Sequence, residues 1–194
     1  MGMIEILTEI YLNSGIHVRE IARRTDLGIP SVKNQLNKLL KENIVSKKFE
    51  GRNLKFFLNM KNSYIISYLY QIEYLRLKKL PRTVKDVIFD FLSTLEKKPV
   101  MTLIFGSFAK GNYTKTSDLD TLLVLNEIDK KELESKSKLV SGRYSLNLEP
   151  IYISWKEFRG KFFDEKDSFI KEIKTNKIII SGIEHWVMLE NEKA

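Results

Sequence analysis

Apolar residues recur at helical spacing in three successive stretches of the first 41 residues, around Leu7, Ile21 and Leu36. The turn signals Asn13-Ser14-Gly15 and Asp26-Leu27-Gly28 separate these stretches. Two short runs rich in apolar residues then flank a turn around Gly51, which predicts a pair of strands. Three short helices followed by a hairpin are the parts of a winged helix.

The polar side of the third predicted helix carries candidate DNA contacts. Pro30 suits the first position of that helix, because an N–H group there has no intrahelical partner. A helix fits the major groove, and a basic hairpin can neutralise phosphates. The candidate contacts are Ser31, Lys33, Asn34, Asn37 and Lys38 on the helix and Lys47, Lys48 and Arg52 in the hairpin.

The stretch VREIARRTDLGIPSVKNQLNKLLKENIVSKK resembles the winged helix-turn-helix domains of prokaryotic transcription regulators. The resemblance implies a recognition helix followed by a wing. The alternative is a winged helix that binds protein or only forms dimers, in which case the polar face is an ordinary solvated one.

Residues 64–80 predict a helix with a wide apolar face, and Pro81 breaks it before another amphipathic helix that ends near residue 98. The first of these helices could pack the two domains together, pair with a second chain in a homodimer, or bury its face within one chain. The predicted domains are residues 1–60, a linker helix at 61–80, and residues 81–194.

A buried-looking strand at residues 101–105 runs into Gly106-Ser107, and the sequence Asp118-Leu119-Asp120 opens a second apolar strand. Alternation along a strand places the two aspartates on one face. Neighbouring carboxylates repel each other unless a cation lies between them, and Mg²⁺ favours such oxygen ligands together with substrate phosphates. A glycine after a strand lets the backbone approach a phosphate closely. The arrangement is typical of two-metal phosphoryl transfer.

The stretch GSFAKGNYTKTSDLD resembles the signature of the DNA polymerase beta-like nucleotidyltransferase superfamily, and in particular its minimal prokaryotic nucleotidyltransferases. The signature is Gly-Ser, ten residues, and then Asp-x-Asp. The fold class expected from both resemblances is α+β: an N-terminal winged helix and a C-terminal nucleotidyltransferase domain with a short mixed sheet flanked by helices. The alternative is a surface strand that starts by chance after a glycine turn.

The second resemblance implies a role for each matching residue. Gly106 and Ser107 would hold the nucleoside triphosphate, and Lys110 falls where a basic residue is usual. Asp118 and Asp120 would hold Mg²⁺, with two ions expected. The third carboxylate of the family would be Glu149, which shares the polar face of a predicted strand with Ser145 and Asn147 and could act as a base. An ordinary exposed strand glutamate is the alternative.

Charge is distributed unevenly along the chain. The net charge is +8, and residues 99–194 carry fifteen basic and fifteen acidic side chains, so the whole excess lies in the first half. This asymmetry favours contact with nucleic acid or another polyanion in the first half.

The chain contains no cysteine and only two histidines, His17 and His185, which excludes disulfides, thiolate metal sites and a cysteine nucleophile and disfavours a zinc site.

The two resemblances, together with the charge pattern, imply a cytoplasmic, Mg²⁺-dependent nucleotidyltransferase that transfers AMP from ATP, or NMP from another NTP, to a hydroxyl acceptor and is tethered to DNA. A protein hydroxyl is a plausible acceptor, and no membrane contact is expected. The alternative is a DNA-binding transcription regulator whose nucleotidyltransferase-like domain senses nucleotide or is inactive. A weaker alternative is an enzyme acting on RNA held by the basic half.

The aromatic residues Trp155, Phe158, Phe162 and Phe163 are interpreted as core rather than as a platform for a base.

Overall fold

A computed structural model describes residues 2–193. Residues 2–58 form the helices and the hairpin that the apolar spacing predicts. The helices are α1 (Gly2–Leu12), α2 (Val18–Thr25) and α3 (Ile29–Lys41). Pro30 lies in the first turn of α3. Each helix turns its apolar stripe inward, and the buried residues include Ile6, Leu7, Ile10, Ile21, Val32, Leu36 and Leu39.

The wing is an antiparallel hairpin extended by one short strand. The strands are β1 (Ile16–His17), β2 (Val45–Glu50) and β3 (Asn53–Leu58), in the order β1-β3-β2. Phe56 of β3 is buried and lies opposite both Ile16 and Lys47. The strands of the hairpin were predicted from sequence, whereas the two-residue β1 was not.

Two helices follow the wing. They are α4 (Ile65–Lys78) and α5 (Arg82–Thr94), with Pro81 at the N-cap of α5. Ile65, Leu69 and Ile72 of α4 are buried, but Tyr64 and Leu75 are exposed. The buried stripe of α4 is therefore narrower than the apolar face predicted there.

A mixed sheet forms the centre of the C-terminal part. Its strands are β4 (Met101–Ile104), β5 (Leu119–Leu125), β6 (Leu148–Ser154) and β7 (Ile178–Ser181), in the order β6-β5-β4-β7. β5 and β6 are parallel, and the other neighbouring pairs are antiparallel. The helices around it are α6 (Gly106–Lys110), α7 (Lys130–Arg143), α8 (Trp155–Phe162), α9 (Ser168–Thr175) and α10 (Ile183–Lys193). The predicted α+β class, a short mixed sheet flanked by helices, is confirmed.

One face of this sheet packs against α5 and α7. Its core includes Ile104, Leu119 and Leu123 of the sheet, together with Phe91 and Val140 of the helices. Because side chains alternate along a strand, Asp120 projects from the opposite face. α8 packs against β5 and β6.

The aromatic residues after β6 are mostly core, as interpreted from sequence. Phe158 and Phe162 are buried, and the Phe162 ring contacts Trp186 of α10 edge-on, with 5.1 Å between ring centroids. Phe163 is an exception, because its side chain is exposed.

The chain divides into two compact units, residues 1–72 and residues 73–194. The division falls within α4, whereas the boundaries predicted from sequence lie at residues 60 and 80 and stay predictions. No helix within residues 2–193 is both long and apolar enough to span a bilayer.

Candidate active site

The Gly106-Ser107 turn follows directly from the fully buried strand β4. Gly106 begins α6 with a φ of +63°, a conformation that side chains other than glycine rarely adopt. A Cβ atom at this position would lie 2.0 Å from Asp120 Oδ2. The turn and the carboxylate are therefore in direct contact, and only glycine allows the approach.

The strand register brings Glu149 to the same place. In the parallel pair of β5 and β6, Asp120 lies opposite Glu149, and the Leu119 N–H donates to the Asn147 carbonyl at 2.8 Å. Residues opposite each other in a ladder share a face, so Asp120 and Glu149 project to the same side. Asp118 directly precedes β5 and is exposed at its start. The register therefore places Asp118, Asp120 and Glu149 at the same end of β5 and β6, and these three residues are together called the acidic site here.

The carboxylate of Asp120 lies in the negative field of its neighbours. The pKa of Asp120 is raised above its usual 3.8, first by burial and then by the negative charges of Glu149, Asp118 and Glu172. The positive charge of Lys110 opposes this rise. A carboxylate with a raised pKa among other carboxylates is stabilised by any cation that enters the group.

Glu149 lies on the edge strand β6, where the neighbouring Pro150 does not interrupt the hydrogen bonds of the sheet. β6 begins only at Leu148, so Ser145 and Asn147 lie outside it, contrary to the longer strand predicted there. In a parallel ladder, the backbone N–H and C=O groups of every second residue point to the neighbouring strand. The Leu119–Asn147 bond shows that Asn147 is one of these residues, so the backbone nitrogen of Pro150, three residues later, points to the free edge of the sheet, where no N–H is needed. Glu149 is exposed and accepts a hydrogen bond from Asn147 Nδ2 at 3.3 Å.

Lys110 is held by a carboxylate that the sequence did not reveal. Its Nζ lies 2.6 Å from Oε1 of Glu172 on α9. One turn earlier on the same helix, the Phe169 ring meets Phe105 edge-on, with 5.5 Å between ring centroids. α9 therefore contacts both ends of α6, the helix that begins with the Gly106-Ser107 turn. Glu172 lies far along the chain from the motif, and no sequence pattern singles it out.

The loop between α6 and Asp118 is braced by its own side chains. Ser117 Oγ accepts a hydrogen bond from the Thr114 N–H at 2.9 Å, and the Tyr113 ring stacks on Phe108 with 4.5 Å between centroids. These contacts fix the segment that leads into Asp118. Sequence reasoning did not identify them.

The residues predicted to contact DNA lie on exposed surfaces of the N-terminal unit. Val32, Leu36 and Leu39 face inward from α3, so the opposite side of that helix faces water. α3 contains no acidic residue. The exposed candidates are Ser31, Lys33, Asn34, Asn37 and Lys38 on α3 and Lys47, Lys48 and Arg52 in the wing.

Residues 85–186 match the family model described as a nucleotidyltransferase domain. The chain belongs to this nucleotidyltransferase family. The match spans the Gly106-Ser107 turn and all three carboxylates of the acidic site. Residues 3–46 match a second model, described as winged helix-turn-helix DNA-binding. Both resemblances seen in the sequence are confirmed.

A curated relative of this nucleotidyltransferase comes from Methanocaldococcus jannaschii. It carries the name "putative protein adenylyltransferase" and is 30% identical over 94 residues, which cover 46% of this chain and 94% of the relative. Since the alignment covers less than half of the chain, the relative matches about one domain's length of it.

The acidic site suits a hard divalent cation by its donor chemistry. Carboxylate oxygens are the ligands that Mg²⁺ prefers, and it is commonly bound by one or two carboxylates with substrate phosphates completing the shell. Within residues 2–193, no three His, Asp or Glu side chains form a ready-made metal cluster. The acidic site therefore suits a Mg²⁺ ion that binds together with a substrate phosphate better than an ion whose ligands all come from the protein.

Proposed function

We propose that the C-terminal unit is a Mg²⁺-dependent enzyme that transfers AMP from ATP to a hydroxyl acceptor, and that the winged helix tethers it to DNA. The observation that carries the proposal is the contact of Asp120 with Gly106, with Glu149 directly opposite in the sheet. Nucleotidyl transfer requires a phosphate-binding turn beside carboxylates that can share a metal, and this contact and register supply the turn and two such carboxylates.

Each residue then has a defined task. Gly106 lets a triphosphate approach the backbone, and the Ser107 hydroxyl can donate to a phosphate oxygen. Asp118 and Asp120 would hold Mg²⁺, and two ions are expected. Once bound, the metal would neutralise triphosphate charge that the carboxylates alone would repel. Lys110 adds a positive charge beside Asp120.

Glu149 would serve as the base for the acceptor. The acceptor hydroxyl oxygen forms a bond to the α-phosphorus, and the bond from that phosphorus to the bridging oxygen of the β-phosphate breaks. Pyrophosphate leaves, and the hydroxyl proton passes to the Glu149 carboxylate. The exposed position of Glu149 at the sheet edge leaves room for an acceptor to approach.

The name of the Methanocaldococcus jannaschii relative supports a protein as the acceptor. The basic surface of α3 and the wing supports DNA as the second partner. A homodimer through residues 64–80 and a cytoplasmic location stay predictions.

The test uses the full chain with ATP labelled at either the α- or the γ-phosphate. With Mg²⁺ and a cell extract as the source of acceptors, we expect the label added beyond that seen with the extract alone to reach a macromolecule from the α-position only, and chelation by EDTA to stop it. Asp118→Asn and Asp120→Asn should abolish the transfer. Glu165→Gln, which removes one exposed carboxylate elsewhere, should not. Label added from the γ-position, or added label that persists when Asp118→Asn and Asp120→Asn are combined, would contradict the proposal.

A nucleotide-sensing regulator is the second candidate. It is favoured by the hydrogen bond that engages Glu149 with Asn147 and by the lack of a three-acid cluster within residues 2–193. For this function, ATP should bind and change the affinity for DNA without any transfer of label. This candidate is ruled out if the chain transfers label and its affinity for DNA does not change when ATP is added.

A further inference from the structure

An exposed phenylalanine stands near the tip of the wing, among basic side chains. Phe49, the penultimate residue of β2, has 69% of its surface exposed. Lys47, Lys48 and Arg52 surround it in sequence, and none of the three forms an ion pair with another described residue. Glu50, the acid at the tip, is paired with Lys55. The tip therefore combines one exposed aromatic ring with an excess of positive charge: Lys47 lies on the same face of the hairpin as Phe49, Lys48 lies on the other face, and Arg52 lies in the turn.

The exposed ring continues an apolar row that begins in the core of the unit. Phe49 lies opposite Leu54, and the next pair on the same face joins Lys47 to the buried Phe56. The row thus runs outward from Phe56 through Leu54 to Phe49. Phe49 is thus the outer end of a continuous apolar row rather than an isolated surface residue, and a bound ligand can cover it.

The chemistry of the tip indicates which ligand fits. A complementary surface must be apolar where Phe49 enters and negative on both sides. The minor groove of DNA suits this arrangement, since two rows of phosphates flank it and a side chain that separates two base pairs there meets their apolar stacked faces. Phenylalanine is among the side chains that proteins insert between base steps there, which bends the duplex.

We infer that Phe49 is an apolar wedge that enters the minor groove and partly unstacks a base step when the wing binds DNA. Lys47, Lys48 and Arg52 hold the flanking phosphates, while Phe49 supplies binding free energy that does not depend on released counterions. This inference rests on the proposed DNA binding and adds to it a deformation of the duplex.

The experiment uses a 30-bp duplex with an A·T-rich centre containing TA steps, labelled with a fluorophore at each end, and the full-length chain. The affinity is measured over a series of NaCl concentrations, and energy transfer between the ends reports bending. We expect Phe49→Ala to lower the affinity on the order of tenfold, to leave the slope of log affinity against log salt unchanged, and to abolish the bend. Lys48→Ala should instead reduce the slope by about one and keep the bend.

Two control variants make the result decisive. Phe49→Leu keeps an apolar wedge and should retain the bend, whereas Phe89→Ala removes an exposed phenylalanine of α5, 51% exposed, and should change nothing. The melting temperature of Phe49→Ala should equal that of the wild type, because the ring is largely exposed. A Phe49→Ala protein that binds and bends the duplex like the wild type overturns the wedge. If such a protein still loses binding on Lys33→Ala and Lys38→Ala, DNA binding itself stands. A wild-type chain that does not bind the duplex overturns both.

Discussion

Two surfaces of this chain, each proposed to bind a phosphate-bearing ligand, carry opposite charges. α3 and the wing present exposed lysines and an arginine, with no acid in α3. The end of the second sheet instead gathers Asp118, Asp120 and Glu149, and the nearby Lys110 is paired with Glu172. The first surface can attract a polyanion directly, so its binding should depend on monovalent salt. The second should bind a triphosphate well only with a divalent cation. If both proposals hold, one surface binds phosphates with its own positive charge and the other binds them through an added cation.

The largest expected effect comes from filling the space between the turn and the acidic site. Gly106→Ala places a methyl group 2.0 Å from Asp120 Oδ2, so the carboxylate or the turn must move. Displacements of about 1 Å commonly cost a hundredfold in rate, and here both the phosphate turn and a candidate metal ligand are displaced. We expect transfer to fall by two to three orders of magnitude, about 100- to 1,000-fold, while DNA affinity is unchanged.

Gly111→Ala is the matched control for this prediction. Gly111 also has a positive φ, of +76°, but a Cβ atom there would meet nothing within 4 Å. It therefore reports the cost of backbone strain alone, which should be small compared with the loss in Gly106→Ala. Equal losses in the two variants would show that strain rather than contact with Asp120 is responsible.

The sequence alone predicted some residues of the candidate site and missed others. The Gly-Ser and Asp-x-Asp spacing identified the turn and two carboxylates because their chemistry is local to one motif. The third carboxylate, Glu149, required an inference about strand pairing, and the register now places it opposite Asp120. Glu172 could not be found, because its contact with Lys110 depends on how α9 packs. Helix α7 was also missed, since its sequence is polar with little periodicity.

A second comparison sets a buried cation of the C-terminal unit against the solvated cations of α3. The Lys177 ammonium is buried over the Trp186 ring, 4.1 Å from its centroid, and donates to the Lys174 carbonyl at 3.0 Å. Burial lowers the pKa of Lys177 from 10.5 to about 8, an effect that Glu73 and Glu190 oppose and that Arg76 and Lys174 reinforce. The exposed lysines of the recognition helix have no comparable environment.

The sign of the resulting pH dependence follows from proton binding. Between pH 8 and 10.5 the unfolded chain retains a proton on Lys177 that the folded chain has lost, so the free energy of unfolding rises with pH. The lowered pKa corresponds to about 3 kcal/mol across this range. We expect denaturant unfolding to show that Lys177→Met lacks this rise. The same pH dependence in the variant and the wild type would exclude Lys177 as its source.

A third prediction concerns the salt dependence of the basic surface. Replacing both Lys33 and Lys38 by Ala should reduce the slope of log DNA affinity against log salt by about two, and lower the affinity by tens of fold near 0.1 M salt. The double variant Lys138→Ala and Lys156→Ala removes the same charge from exposed positions of the C-terminal unit and should leave the slope unchanged. If both pairs have equal effects, net charge rather than the α3 surface governs binding.

The smallest expected effect lies at the ion pair beside the acidic site. In the free protein Lys110 is neutralised by Glu172, and the same carboxylate adds to the negative field at Asp120. A triphosphate that uses Lys110 must compete with Glu172 for it. Glu172→Gln removes both the competition and one negative charge, so ATP should bind more tightly. Since the pair is partly exposed, the gain should not exceed about fivefold.

This last effect is best measured where the cation cannot mask it. A fluorescent ATP analogue titrated in EDTA reports the bare charge balance of the site, and the gain should shrink when Mg²⁺ is added because the metal supplies positive charge of its own. Glu165→Gln, on the exposed turn before α9, removes the same charge without touching Lys110 and should leave affinity unchanged. Weaker binding by Glu172→Gln would mean that Glu172 positions Lys110 for the nucleotide instead of competing with it. The Lys110–Glu172 pair would then belong to the nucleotide-binding site. The two surfaces would also differ less in their electrostatics, since both would bind phosphate through lysine side chains.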